Sequence, residues 1–371
     1  MKNIPVKPKT FLTTSPSLPR LPAALLLLSI LLQGCLPASA SPVQTAVLPL
    51  PTPTATLEVI LPALEETAPP PESIAPQPIS RVLIVTFDGM RPEAIETAEM
   101  TNVIALMQSG AYTMSAQTIM PSNTLPAHAA MVTGTCPAKN AVRWNEYVPQ
   151  NGFALGTDIF DLAHAVGLRT GIVTGKLKLR QLTEPTSTDF FGFVDNTDED
   201  KDRITLENLA VDELKKGFGL ALIHFPDGDV VGHKYGWLSK QQLAAYKKND
   251  NDLGLLIKAL KNSGYYDGTL FIITSDHGGR NEDPKHGENT PEIMTIPWII
   301  SGPQVAPGEI QSPVYIIDTA PTVAFALGLP FQADWDGAPV YEAFGLPADT
   351  LRAEGCPRVT PELHTTTYDS P

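Results

Sequence analysis

The chain has 371 residues, a formal net charge of -14 and a hydrophobic fraction of 43%. A chain of this size can bury one large core or two small ones. The acidic excess argues against a nucleic-acid-binding surface, because binding to polyanions needs clustered lysine and arginine side chains. It does not exclude an enzyme for anionic substrates, since bound metal ions can reverse the sign of the local field.

The first 35 residues have the features of a signal peptide. Lysines and Arg20 precede an apolar run over residues 25–32, which is shorter than the roughly 18 residues of a membrane-spanning helix. The run ends in Leu-Gln-Gly followed by Cys35, which resembles the lipobox of bacterial lipoproteins and predicts a lipid anchor on that cysteine. The alternative is a plain secretory signal that is cut shortly after Cys35. Both interpretations predict an extracytoplasmic protein, at the cell surface or in the periplasm.

Two further segments lack the pattern of a folded domain. Residues 36–80 alternate Pro, Thr, Ala and Ser and predict a disordered, semi-extended linker. Residues 347–371 are also rich in Pro, Thr and acidic side chains and predict a loosely ordered tail. If Cys35 carries the lipid, Cys136 and Cys356 remain, and whether they form a disulfide stays open.

Short apolar runs, each followed by a turn residue, recur from residue 81 onward. They cover residues 82–87, 170–174, 220–225, 270–274 and 297–300. Helical patterns lie between them, the longest over residues 240–262. Alternating strands and helices predict an α/β domain over residues 81–346, with a mostly parallel central sheet and helices on both faces.

Aspartate and histidine residues follow the ends of three of these strands. They are Asp88 after the first run, Asp229 and His233 after the third, Asp276 and His277 after the fourth, and His286 shortly afterwards. The carboxyl ends of parallel strands meet at one edge of a sheet, so these side chains should lie together. Each one alone could be a helix cap or a structural residue, but six together predict a metal site.

The ligand types indicate which metal is bound and how many ions there are. Mixed carboxylate and imidazole ligands favour zinc, whereas calcium and magnesium prefer oxygen alone. Six protein ligands are too many for one tetrahedral ion that keeps a position open for substrate, so we expect two ions. Pairs of ions about 4 Å apart are typical of phosphoryl-transfer sites.

Thr124 is the candidate nucleophile. It precedes Pro126, which suits the first turn of a helix, and this spacing predicts that Thr124 occupies the N-cap position. The positive end of the helix dipole and a nearby metal would both favour an alkoxide there. An ordinary N-cap threonine is the alternative.

Five segments together resemble the alkaline phosphatase superfamily, most closely its type I phosphodiesterase and nucleotide pyrophosphatase branch. They are Phe87-Asp88-Gly89, Thr124-Leu125-Pro126-Ala127-His128, Asp229-Val230-Val231-Gly232-His233, Ser275-Asp276-His277-Gly278 and His286-Gly287. Their order and spacing match over residues 81–341. The resemblance therefore covers the whole predicted domain and implies an alkaline-phosphatase-like three-layer sandwich.

The resemblance also implies residue roles. One ion would be held by Asp229, His233 and His286. The other would be held by Asp88, Asp276, His277 and the Thr124 oxygen. Asn145 would donate a hydrogen bond to a phosphoryl oxygen. The implied reaction is attack by Thr124 on phosphorus, followed by hydrolysis of a phosphothreonine intermediate.

The substrate class stays open between two ester types. Lys176 and Lys178 resemble the basic pair that grips a dianionic monoester in some threonine-type alkaline phosphatases, although they could equally be solvated surface lysines. Trp144, Tyr147 and Phe153 are candidates for stacking on a base, or else for packing. The sequence thus predicts a phosphodiesterase or pyrophosphatase, with a monoester phosphatase as the alternative.

Other functions fit the motifs less closely. Phosphonate hydrolysis and a non-catalytic surface lipoprotein stay possible alternatives. A sulfatase is disfavoured, because Cys136-Pro137-Ala138-Lys139 lacks the Cys-x-Pro-x-Arg pattern from which such enzymes form formylglycine.

Overall fold

A computed structural model describes residues 78–195, 204–281, 285–348 and 355–356. The predicted signal peptide with Cys35, nearly all of the predicted linker and most of the predicted tail lie outside these described residues. None of the helices in these ranges is both long and apolar enough to cross a lipid bilayer.

The described residues form one eight-stranded sheet. In chain order its strands are β1 (Arg81–Phe87), β2 (Ala111–Gln117), β3 (Thr170–Thr174), β4 (Phe190–Phe193), β5 (Leu220–Phe225), β6 (Thr269–Thr274), β7 (Thr295–Ser301) and β8 (Gly308–Glu309). Their order across the sheet is β4-β3-β5-β1-β6-β7-β2-β8. The first five strands in this order are mutually parallel, and β7 is antiparallel to both of its neighbours. The predicted mostly parallel α/β fold is therefore confirmed.

Helices cover both faces of the sheet. They are α1 (Glu93–Thr97), α2 (Thr101–Ser109), α3 (Thr124–Thr133), α4 (Pro137–Asn140), α5 (Ile159–Ala165), α6 (Leu206–Leu214), α7 (Asp227–Tyr235), α8 (Lys240–Asn262), α9 (Pro291–Met294) and α10 (Thr319–Leu327). Helix α8 has the predicted bounds, and Ser239 caps it by accepting a hydrogen bond from Gln242 N.

Alternation along the strands builds two separate cores. In β1, Val82 and Ile84 face one core together with apolar residues of α3, α5 and α10. Leu83 and Val85 face the other core together with residues of α2, α6 and α8. Buried strands of this kind are nearly continuous apolar runs because both of their faces are covered.

Strand β7 reverses direction because of its short connection to β6. A parallel pair needs a long crossover, usually a helix that returns the chain to the opposite edge of the sheet. Between β6 and β7 the described residues contain only the four-residue helix α9. The chain therefore stays at the edge where β6 ends, and this connection carries three of the predicted metal ligands.

A disulfide joins Cys136, immediately before α4, to Cys356. The two residues are separated by 220 positions, and their Cα atoms are 5.5 Å apart. The pairing that the sequence left open is thus formed in the structure. It ties one part of the predicted tail to the domain.

Candidate metal centre and nucleophile

The turn after β1 brings three segments together at the carboxyl edge of the sheet. Gly89 follows Asp88 with a φ of +71°, and a Cβ there would lie 3.3 Å from the Cα of Asp229. The amide of Gly89 donates a 3.1 Å hydrogen bond to Oδ1 of Asp276. A glycine is favoured by both the positive φ and the close approach of the neighbouring backbone.

Asp229 and His233 lie one turn apart on α7, which starts directly after β5. Because residues four apart share a helix face, the Nε2 of His233 lies 3.3 Å from Oδ1 of Asp229. The Nε2 of His286 lies 3.4 Å from the same oxygen. His286 Nδ1 lies 3.1 Å from the carbonyl oxygen of Ser122. A carbonyl only accepts, so Nδ1 carries the proton and Nε2 keeps its lone pair for a metal.

His277 is oriented in the same way. Its Nδ1 donates to the carbonyl of Gly278 at 2.8 Å, which leaves Nε2 as the electron-pair donor. That atom lies 3.5 Å from Oδ1 of Asp88 and 3.3 Å from Oδ2 of Asp276. The His277 and His286 rings stack with centroids 3.8 Å apart. The residues around Asp88 therefore lie next to those around Asp229.

These residues fit divalent cations. The donor atoms of Asp229, His233 and His286 lie within 4.8 Å of one another, and so do those of Asp88, Asp229 and His277. Within the described ranges, Asp88 Oδ1, Asp276 Oδ2 and His277 Nε2 are buried without a hydrogen-bond partner. Burying polar atoms without partners is costly, and cations between them would supply the missing interaction.

The geometry differs from the predicted ligand sets in one respect. Asp229 contributes to both groups of donor atoms, whereas Asp276 reaches the second group through His277. Asp229 lies in the first turn of α7. Its Oδ1 faces His233 and His286, whereas its Oδ2 faces the Lys176 ammonium.

Burial and crowding of charge perturb the carboxylates. Burial, together with the Asp88 carboxylate, raises the pKa of Asp276 to about 7. Burial acts in the same direction on Asp88, but the Lys176 ammonium and His224 outweigh it and hold the Asp88 pKa well below its usual range. The pKa of Asp229 is lowered in the same way, because Lys176, His233 and His286 outweigh the effect of its burial. The carboxylates thus need more positive charge than one lysine supplies.

Thr124 is the first residue of α3, and Asn123 occupies the N-cap position without a side-chain cap bond. The prediction that Thr124 itself is the N-cap is therefore wrong. A residue outside the helix caps it instead: the Oδ1 of Asn145 accepts a 3.0 Å hydrogen bond from Leu125 N. The Thr124 hydroxyl is consequently free of a capping role. It accepts a 3.1 Å hydrogen bond from the Lys176 ammonium.

Asn145 is oriented by this bond. Because Oδ1 is engaged by the helix N–H, the amide Nδ2 is the group left to donate. It has no partner among the residues that the structure describes. Asn145 therefore lies beside Thr124 with an available donor.

The two predicted lysines differ in their surroundings. Lys176 Nζ lies 2.7 Å from Asp88 Oδ2 and 2.6 Å from Asp229 Oδ2. Its own burial is outweighed by these carboxylates, which raise the Lys176 pKa. Lys178 is half-buried, and no carboxylate in the described part of the chain forms an ion pair with it. Burial and the nearby Lys176 lower the Lys178 pKa.

The three aromatic candidates also lie in different environments. Trp144 donates its indole N–H to Gln181 at 3.3 Å, and Phe153 is half-buried. Tyr147 is 41% exposed and lines a cavity of about 550 Å³ together with residues of β4. Of the three, Tyr147 is the one whose ring faces open space.

Two buried histidines near the site have no role predicted from the sequence. His224 lies inside β5 and its Nε2 is 2.7 Å from Oδ2 of Asp88. His128 lies on α3, where its Nδ1 donates to the Thr124 carbonyl at 2.8 Å. Burial and the adjacent His224 lower the His128 pKa to about 3, so His128 is neutral. The available signal was a histidine inside an otherwise apolar strand, which more often indicates a core residue.

The chain resembles known proteins in sequence and fold. A family model described as type I phosphodiesterase/nucleotide pyrophosphatase matches residues 82–297. The chain is 25% identical over 281 residues to GPI ethanolamine phosphate transferase 2 of Aspergillus fumigatus, covering 70% of this chain and 36% of that protein. It is 23% identical over 216 residues to human bis(5'-adenosyl)-triphosphatase ENPP4, covering 53% of this chain and 47% of that protein. The chain thus spans about a third to a half of the length of these relatives.

A solved structure shows the same fold. Murine ectonucleotide pyrophosphatase/phosphodiesterase 5 superposes with a TM-score of 0.56 at 14% sequence identity, covering 72% of this chain and 99% of that chain.

Proposed function

Because the chain belongs to the type I phosphodiesterase/nucleotide pyrophosphatase family of the alkaline phosphatase superfamily, we propose that it hydrolyses phosphate esters with Thr124 as the nucleophile. One observation carries the proposal. Unpaired carboxylate and imidazole atoms converge at the sheet edge, and the Lys176 ammonium links two of these carboxylates to the Thr124 hydroxyl.

The site would hold two divalent ions, with zinc as the metal that the mixed ligands favour. Asp229, His233 and His286 would hold one ion. Asp88, Asp276, His277 and the Thr124 oxygen would hold the other. Such ions supply positive charge to the phosphoryl, attacking and leaving oxygens.

Residues of the protein would supply the nucleophile and a hydrogen-bond donor for the phosphoryl group. Thr124 starts α3, where the helix dipole favours a negative oxygen. The bond from Thr124 Oγ1 to phosphorus forms as the ester P–O bond breaks and the alcohol leaves. Water then cleaves the phosphothreonine and restores the threonine, so two inversions retain configuration at phosphorus. Asn145 Nδ2 would donate to a phosphoryl oxygen, as expected of an oxyanion donor.

We propose phosphodiesters or pyrophosphates as the substrates. The family match supports this class, and the exposed ring of Tyr147 beside a cavity could contact the organic group of such a substrate. Turnover of an ester would separate this proposal from a non-catalytic surface lipoprotein. The disulfide engages Cys136, which further disfavours its conversion to a sulfatase formylglycine.

A monoester phosphatase is the second candidate, and Lys178 is the observation that favours it. Its half-buried ammonium lacks a carboxylate partner among the described residues. A monoester carries one more negative charge than a diester, so an additional cation would favour it.

The ratio of kcat/KM for p-nitrophenyl phosphate and bis-p-nitrophenyl phosphate tests this choice. We expect the zinc-loaded chain to prefer the diester. A strong preference for the monoester would establish the phosphatase instead, provided that Lys178→Met lowers this preference about tenfold. A loss of that size corresponds to one charge-assisted hydrogen bond. Lys240→Met, which changes an exposed lysine at the start of α8, is the matched control.

We also propose that the protein is exported and anchored to a bacterial membrane by a lipid on Cys35. The disulfide supports an oxidising compartment. Metabolic labelling with a radioactive fatty acid tests the anchor, because the label should be incorporated into the wild-type chain and not into Cys35→Ser. Equal labelling of both chains would contradict it.

A further inference from the structure

Four buried polar side chains form a row across the sheet just before the strand ends. They are Thr174 on β3, His224 on β5, Thr86 on β1 and Thr274 on β6. Adjacent members are direct register partners. Thr86 and Thr274 stand two residues before Asp88 and Asp276, so the row forms the floor beneath two predicted ligands.

Hydrogen bonds connect part of this polar row to Asp88. Lys176 N donates to Thr174 Oγ1 at 3.0 Å, and Thr174 Oγ1 lies 3.1 Å from Nδ1 of His224. His224 Nε2 lies 2.7 Å from Oδ2 of Asp88. A carboxylate only accepts, so His224 Nε2 carries a proton and donates it to Asp88 Oδ2, while Nδ1 is held by the Thr174 hydroxyl.

This arrangement divides the two oxygens of Asp88 between different tasks. Oδ2 accepts from His224 and faces the Lys176 ammonium. Oδ1 is buried without a hydrogen bond in the described part of the chain, and it lies 3.5 Å from Nε2 of His277. The bond from His224 and the Lys176 ammonium thus hold Oδ2 on one side and leave Oδ1 facing the neighbouring ligand.

We propose that His224 is a positioning residue that fixes the Asp88 carboxylate so that Oδ1 is its metal-binding oxygen. The inference rests on the proposed metal site. Partners that orient metal ligands contribute typically 10- to 100-fold to metal affinity.

The composition of β5 supports a role beyond packing. The other five residues of this strand are apolar and buried, and an apolar residue would fill the position of His224 without needing polar partners. Thr274, another member of the polar row, differs from His224 in having a purely structural partner. Its hydroxyl donates to the Pro297 carbonyl at 2.7 Å, and among the described residues no hydrogen bond joins it to a predicted ligand.

Zinc affinity of the full chain, measured by competition with a chromophoric chelator, tests the inference. We expect two zinc ions per wild-type chain. His224→Leu should weaken the binding of one ion by about 10- to 100-fold. His224→Gln should recover most of the affinity, because its Nε2–H can donate to Asp88 Oδ2. Thr274→Val, a matched change in the same row, should leave the affinity unchanged.

Thr174→Val provides a second test if circular dichroism shows that His224→Leu does not fold. It removes the partner of His224 Nδ1 and leaves Asp88 intact, so zinc affinity should fall by less than in His224→Leu. Two results would overturn the inference while leaving the metal site intact: wild-type affinity in a folded His224→Leu, or equal losses in His224→Gln and His224→Leu. A wild-type chain that binds no zinc would instead overturn the metal site and the inference with it.

Discussion

The hydroxyl of Thr124 lies next to two features that stabilise negative charge. It stands at the start of α3, and the Lys176 ammonium is 3.1 Å from its oxygen. Thr124→Ala should therefore lower kcat/KM for bis-p-nitrophenyl phosphate by on the order of 10³-fold or more, while the protein stays folded and binds zinc. Thr124→Ser should keep a nucleophilic hydroxyl and most of the activity.

Thr133→Ala is the control for this comparison. Thr133 is a buried threonine of the same helix whose hydroxyl donates to the Ala129 carbonyl, so its loss should affect stability rather than turnover. Unchanged activity in Thr124→Ala would contradict the assignment of the nucleophile.

The metal-ligand candidates could be predicted from the sequence because their residue types and positions coincide. Carboxylates and imidazoles directly after strands are informative, since parallel strands deliver them to one edge. His224 could not be predicted in this way. It lies inside the apolar strand β5, and its partner Asp88 is 136 residues away in the sequence.

At the level of single elements, the start of α5 has an unusual cap. Asp158 is buried, and its carboxylate accepts hydrogen bonds from the amides of Phe160 and Asp161. Burial and the Asp161 carboxylate raise the Asp158 pKa from its ordinary 3.8 to about 7. Between these values the folded state binds more protons than the unfolded state, so the free energy of unfolding falls as pH rises towards about 7.

Asp158→Asn should remove this pH-dependent fall in the free energy of unfolding, and its amide oxygen can still cap the helix. We expect the variant to be more stable than the wild type by about 1 kcal/mol or more at pH 8, and to lose that advantage near pH 4. Urea unfolding at both pH values measures the difference. Asp212→Asn, at an exposed position of α6, controls for net charge, and equal responses of the two variants would contradict the explanation.

The predictability of the strands follows their burial. β3 and β5 have the predicted bounds, since apolar runs covered on both faces stand out in a sequence. β2 and β4 were not predicted. The first mixes apolar, small and polar residues without a continuous apolar run, and the second has four half-buried residues including a glycine. The start of α3 was placed one residue late because its cap comes from Asn145, 20 positions further along the chain.

At the scale of the whole molecule, the disulfide between Cys136 and Cys356 closes a loop across most of the domain. Replacing both cysteines by serine should lower the free energy of unfolding by about 2 to 5 kcal/mol, mainly because the unfolded chain becomes less constrained. Activity at moderate temperature should persist, since neither cysteine is one of the predicted metal ligands or catalytic residues. Urea unfolding with and without reductant measures the effect, and an unfolding midpoint independent of reductant would contradict it.

The overall acidity of the chain, -14 in formal charge, is compatible with an anionic substrate only if the site itself is positive. One lysine faces three buried carboxylates at the site, and in the proposed function divalent ions would supply the additional positive charge. We therefore expect the activity of the protein, as well as the balance of charge in its site, to depend on metal.

Titration of metal-stripped protein with zinc, followed by hydrolysis of bis-p-nitrophenyl phosphate, tests this dependence most directly. We predict no hydrolysis after chelation and a return of activity that saturates at about two zinc ions per chain, as expected for a two-metal site. Full hydrolysis after complete removal of metal, or saturation at one ion per chain, would contradict the account.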